Sequence, residues 1–146
     1  MKEILFEVPF APTPQQRHRT SGKRTYDPSA KDKADFLALV RHHAPESPVQ
    51  GVIRVSIGFG FRRPKSHFGA GKNAGVLKKT AAYEYIKKPD VDNLAKFVLD
   101  ALNGVFFKDD CQVNFLTAWK HYSESAQIGF CMRWSDEKRR VQFSRG

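Results

Sequence analysis

KPDVDNLAKFVLDALNGVFFKDDCQV, residues 88–113, is the stretch from which the rest of the chain can be laid out. At about 100° per residue, Leu94, Phe97, Val98, Ala101 and Leu102 share one broad arc, with Ala95 and Leu99 at its edge. Asp92, Lys96, Asp100 and Asn103 fill the narrow remainder. That pattern predicts an amphipathic helix over 92–103, with Asp92 as its N-cap and Asn103-Gly104 as its stop. A carboxylate pair, Asp90 and Asp92, therefore stands at the helix mouth. A second pair, Asp109 and Asp110, precedes the next strand.

Downstream, Cys111, Val113, Phe115, Thr117 and Trp119 alternate with polar neighbours, and so do Ala126, Ile128, Phe130, Met132 and Trp134. The short HYSES segment between them predicts an antiparallel hairpin. Upstream, residues 3–9 put Ile4, Phe6 and Val8 on one face and end at Pro9. Residues 51–61 put Ile53, Val55, Ile57, Phe59 and Phe61 on one face. A helix begins at Pro28-Ser29, carries Ala34, Phe36, Leu37 and Val40, and stops by Pro45. The segment between the first strand and this helix, APTPQQRHRTSGKRTYDP, lacks periodicity and reads as a loop. Residues 62–87 read as a long basic loop insert with a short helix near Leu77, and the charged tail 136–146 as frayed. The expected order is β-α-β-loop-α-β-β. It describes a single two-layer α+β domain over 1–146, a mixed β-sheet with two helices packed on one face.

The chain has 25 Lys+Arg against 15 Asp+Glu, a formal net charge of +10. Such a balance favours a polyanionic partner and makes nucleic acid the first expectation. No apolar run is long enough to span a membrane, and no signal-peptide pattern opens the sequence, so a cytoplasmic protein is expected. The two cysteines, Cys111 and Cys131, are too few and too far apart for a zinc knuckle; both are expected as buried thiols in strands.

Against that basic background the clustered acids stand out. Carboxylates repel phosphate unless a divalent cation sits between them. If the strand after Asp109 lies beside the helix mouth, Asp110 joins Asp90 and Asp92, and three such groups repel one another unless a cation neutralises them. Mg²⁺ suits the set, because it binds through few carboxylates, keeps waters and accepts phosphate oxygens; Mn²⁺ is the expected substitute. Singly, each residue has a plainer explanation: Asp92 as a helix cap, Asp90 as a turn residue after Pro89, and Asp109-Asp110 as a polar turn. Together, with Lys96 one turn from Asp92, they point to metal-dependent cleavage of a phosphodiester.

KPDVDNLAKFVLDALNG followed by KDDCQV closely resembles the RusA-type Holliday-junction resolvases, a bacterial and prophage family of Mg²⁺-dependent endodeoxyribonucleases. Weaker similarity extends to the N-terminal strand, its Pro/Arg loop and YDP before the first helix. The resemblance implies that Asp90, Asp92 and Asp110 are the essential acids and metal ligands, and that Lys96 is the essential lysine. It further implies a homodimer whose two sites nick opposing strands of a four-way junction. Residues 62–87 lie where the best-known members have a shorter link, so other branched or flapped DNA remains open as substrate.

Arg17, Arg19, Lys23 and Arg24 form one basic cluster; Arg62, Arg63, Lys65, Lys72, Lys78 and Lys79 form another. Both suit contact with a DNA backbone; a solvated surface is the plainer alternative, but two clusters in loops with few balancing acids favour DNA. Two other classes stay in view. One is a non-catalytic branched-DNA-binding module. The other is a metal-dependent nucleotidyl or glycosyl transferase, which also uses a DxD pair but leaves the charge unexplained.

Overall fold

In the computed structural model, which describes residues 1–136, the first strand β1 (Lys2–Val8) buries Phe6 and Val8 and leaves Leu5 exposed. Two short strands, β2 (Arg19–Ser21) and β3 (Arg24–Tyr26), follow as a separate hairpin. Gly22 takes φ +63° at its turn, the left-handed backbone that two-residue hairpin loops require. All six strand residues are exposed, so no burial pattern betrays them in the sequence, and the segment expected to be featureless loop contains this hairpin.

Helix α1 (Ala30–Val40) buries Phe36 and Val40, and strand β4 (Ile53–Arg62) comes next. Helix α2 (Val91–Leu102) buries Leu94, Ala95, Phe97, Val98, Ala101 and Leu102, the arc expected of it. Strands β5 (Val113–Ser123) and β6 (Gln127–Trp134) complete the described chain. The sheet order is β1-β6-β4-β5, with β4 parallel to β5 and antiparallel to β6. Both helices join the sheet residues Phe6, Val55, Ile57, Phe59, Ile128, Phe130 and Met132 in one apolar cluster. This is the expected mixed α+β domain.

The expected hairpin of β5 with β6 is absent. The three residues 124–126 carry the chain over the end of β4, which lies between the two strands. β4 is the strand that demands a central place: Ile53, Val55, Ile57 and Phe59 are buried on one face, and Gly58 and Gly60 are buried on the other. Parity on β5 also differs from expectation. Phe115 and Trp119 pair with Arg54 and Gly58 on the open face, where they are exposed. The Arg54 guanidinium sits 5.9 Å from the Phe115 ring centroid.

Cys111 is exposed in a 3₁₀ turn (Asp110–Gln112), and Cys131 is half-buried on β6, so the two expected buried thiols are not found. The 62–87 segment holds 3₁₀ turns at Lys65–His67 and Gly71–Asn73; Leu77 bridges Phe68 and lies in no helix. Of the tail expected to fray, 136–146, Asp136 pairs with Lys2 at 2.9 Å and residues 137–146 lie outside the described residues.

Candidate active site

Asp90, not Asp92, is the N-cap of α2. Following Pro89 it keeps extended backbone (φ −69°, ψ 143°), while its carbonyl accepts the Leu94 N–H at 3.2 Å. The Asp90 side chain makes no capping bond, and Asp92 in the first turn accepts only its neighbour's N–H, from Asn93 at 2.9 Å. Both carboxylates are exposed, as is Lys96 one turn further along. An anion beside the positive end of a helix is favoured, and here two are free for a further ligand.

The backbone leading into Asp90 is held unusually firmly. Lys120 Nζ, on the helix-facing row of β5, donates to the Lys87 carbonyl at 2.7 Å and the Pro89 carbonyl at 2.8 Å. The Tyr85 hydroxyl donates to the Lys88 carbonyl at 2.9 Å. Three successive carbonyls are thus captured by side chains. Tyr85 itself stacks on Phe61 (centroids 3.8 Å apart, planes 7° apart), and the Lys120 ammonium lies 5.5 Å from the Tyr85 ring centroid. The 83–85 segment also bonds the outer edge of β5, Tyr85 N–H to the Lys120 carbonyl and Tyr122 N–H to the Tyr83 carbonyl. Tyr83 stacks on His121 of β5, centroids 5.5 Å apart, and stays largely exposed. Lys120 and Tyr85 escaped sequence reading as site-building residues, because bonds to backbone carbonyls leave no motif; a lysine facing helices on a strand is the one available signal.

Asp110 opens the 3₁₀ turn before β5 and feels the charge of Asp100, in the last turns of α2. Its turn is pinned by Gln112, whose Nε2 donates to the carbonyls of Val49 at 2.9 Å and Gly51 at 2.7 Å and whose Oε1 accepts the Asp109 N–H at 2.7 Å. Burial raises the Asp110 pKa, and the hydrogen bond and charge of Asp109 and the charge of Asp100 push it further up. Asp109 is lowered by the Cys111 backbone N–H and by hydrogen bonds from Asp110 and the Cys111 side chain. Among the described residues no three Asp, Glu, His or Cys side chains gather closely enough to share one ion. The expected convergence of Asp90, Asp92 and Asp110 is not formed in the single chain. As donors all three are hard carboxylate oxygens, the chemistry Mg²⁺ prefers, and Mg²⁺ needs only one or two of them with phosphate and water.

Of the expected DNA contacts, Arg17, Arg19, Lys23 and Arg24 are exposed on and beside the β2–β3 hairpin. Arg62, Lys65, Lys72, Lys78 and Lys79 are exposed in and around the long loop. Arg63 is different. Its guanidinium donates to the Ala82 carbonyl at 2.7 Å and lies 5.5 Å from the Tyr122 ring centroid, so it braces the loop against β5.

The family model described as Endodeoxyribonuclease RusA matches residues 9–130, which include both acidic pairs, Lys96 and both basic clusters. The chain belongs to the RusA family of endodeoxyribonucleases. It is also 36% identical over 141 residues to the uncharacterized protein YqaN of Bacillus subtilis (strain 168), covering 89% of this chain and 95% of that one.

Proposed function

We propose that this protein is a Mg²⁺-dependent, structure-selective endodeoxyribonuclease that resolves Holliday junctions or related branched DNA by paired symmetric nicks, in recombination and repair. The observation that carries the reading is the family match over 9–130, which spans every acidic and basic residue the chemistry needs. Asp90 and Asp92, with carboxylates uncommitted to capping, would hold the ion at the helix mouth, with Asp110 as the third ligand brought in when ion and DNA are bound. Bound there, Mg²⁺ supplies Lewis-acid polarisation of the scissile phosphate. Lys96, exposed one turn along α2, offsets negative charge developing on the phosphate or leaving oxygen. The exposed cations of both loops grip the flanking backbone. A homodimer would present two such sites to opposing strands. The protein acts in the cytoplasm of a bacterium and is of bacterial or prophage origin.

The test is a panel of labelled four-way, flapped and linear DNAs incubated with EDTA, Mg²⁺ or Mn²⁺, alongside Asp90→Asn and Asp92→Asn. Cleavage of branched DNA with either metal, abolished in both variants while binding persists, is the expected result. A second reading, a non-catalytic branched-DNA-binding module, is favoured because among the described residues no three acidic, His or Cys side chains gather to hold an ion. It prevails if the wild type binds junctions yet cuts none with either metal.

A further inference from the structure

Gln15 and Ser29 are the polar side chains buried most completely among the described residues, 8% and 1% exposed, and they belong to one network. At its centre is Asp27, whose carboxylate accepts from Gln15 Nε2 at 2.9 Å, from the Ser29 N–H at 2.9 Å and from Lys33 Nζ at 2.5 Å. Ser29 is the N-cap residue of α1, but its side chain makes no capping bond; its Oγ accepts the Gln16 N–H at 3.0 Å. The network then reaches α2 twice. The Gln15 N–H donates to the Asn93 carbonyl at 3.0 Å, and Lys33 Nζ lies 3.8 Å from the Asp100 carboxylate.

Asn93 and Asp100 are two turns apart on the same side of α2, and Lys96 falls between them. Burying amide and hydroxyl groups costs free energy unless they are bonded, and Gln15 Oε1 finds no partner even so. A plain surface loop would gain nothing from such an arrangement. What it fastens is residues 16–26, which carry Arg17, Arg19, Lys23 and Arg24 on exposed backbone.

We infer that Gln15 and Lys33 are positioning residues of the DNA-cleaving site: their side chains meet on the Asp27 carboxylate and so close the two ends of the cationic 16–26 arm, and the Gln15 main-chain N–H and the Lys33 ammonium hold that closed base to α2 on either side of Lys96, so that arm and helix mouth meet one DNA backbone in fixed relation. This rests on the nuclease reading above. The arm's cations supply affinity, whereas the clamp sets where along the strand the phosphate lies, and so governs the chemical step and the choice of phosphate.

The experiment compares wild type, Gln15→Met, Lys33→Met and Lys33→Arg on an end-labelled junction with Mg²⁺, reading kcat, KM and the cut position, with circular dichroism and melting as controls. Misplacing a reacting group by an ångström costs up to about a hundredfold, so a fall in kcat of about tenfold or more is expected for both Met variants, with KM changed less than about threefold. Their cuts should spread onto neighbouring phosphates, and Lys33→Arg, which keeps the cation, should restore the single cut. Folded Met variants that cut the wild-type phosphate at the wild-type kcat overturn the inference. If both melt below the assay temperature, Ser29→Ala, which severs only the Gln16 tether, decides by the same cut map. A wild type that cuts nothing sinks the nuclease reading itself, an outcome distinct from unaltered variants of an active enzyme.

Discussion

Lys120 on β5 holds the carbonyl of Pro89 at 2.8 Å, so the residue just before the Asp90 carboxylate is anchored to the sheet by an ammonium from a neighbouring element. Replacing it with Met keeps most of the apolar stem over Tyr85 and strands the Lys87 and Pro89 carbonyls. Because the segment is largely exposed and water can replace part of the loss, a stability cost of about 1–2 kcal/mol is expected from thermal melting. Junction cleavage should fall far more than that cost implies. A variant that cuts as fast as wild type would show that Asp90 needs no such anchor.

The Asp27 carboxyl is desolvated, which raises its pKa, but the hydrogen bonds from Lys33, the Ser29 backbone and Gln15 outweigh this and bring it to about 2. A carboxyl depressed on folding stabilises the protein above its unfolded value and loses that contribution as pH falls through the folded one. Asp27→Asn should therefore be less stable than wild type by about 2 kcal/mol at neutral pH, with the gap closing between about pH 4 and pH 2. Urea denaturation at several pH values measures it. A gap independent of pH would rule out the charge as its source.

Trp119 lies flat against Gly58: a Cβ on that glycine would come within 2.8 Å of the indole Cζ2. Gly58→Ala should tilt the half-exposed ring away from the sheet, shift its fluorescence and cost about 1–2 kcal/mol. In a Trp119→Ala background the same change should cost almost nothing. Additive effects in that double-mutant cycle would show that the ring moves freely.

The two kinds of arginine in the basic clusters should part company. Arg19→Ala with Arg24→Ala should weaken binding to every DNA alike and lower the salt slope by about two, with little change in melting temperature. Arg63→Ala should instead lower stability, since its guanidinium satisfies the Ala82 carbonyl and lies over Tyr122. Salt titrations and melting curves on the double variant and on Arg63→Ala separate the roles.

Sequence periodicity found what depends on periodic burial. The α2 arc, the inward rows of β1, β4 and β6, and the α1 residues Phe36 and Val40 are all where the spacing puts them. It could not order the strands, because alternation says which face is wet and nothing about which strand lies alongside. It was misled on β5, where the large residues Phe115 and Trp119 face outward against Arg54 and Gly58. Of the candidate site, the acidic pairs could be picked out by type and spacing. Lys120, Tyr85, Gln112 and Gln15 could not, since each acts by bonding backbone groups whose location only the folded chain defines.

The sheet order has a consequence for synthesis. Each ladder of the four-stranded sheet involves β5 or β6: β1 pairs with β6, and β4 pairs with β5 and β6. While a ribosome is still making the first two-thirds of the chain, no pair of those strands can zip, and the apolar rows of β1 and β4 must wait without partners. Such non-local closure is slow and leaves nascent chains prone to sticking together, so an arrest just before Val113 should yield a polypeptide that needs a chaperone until the last strands emerge.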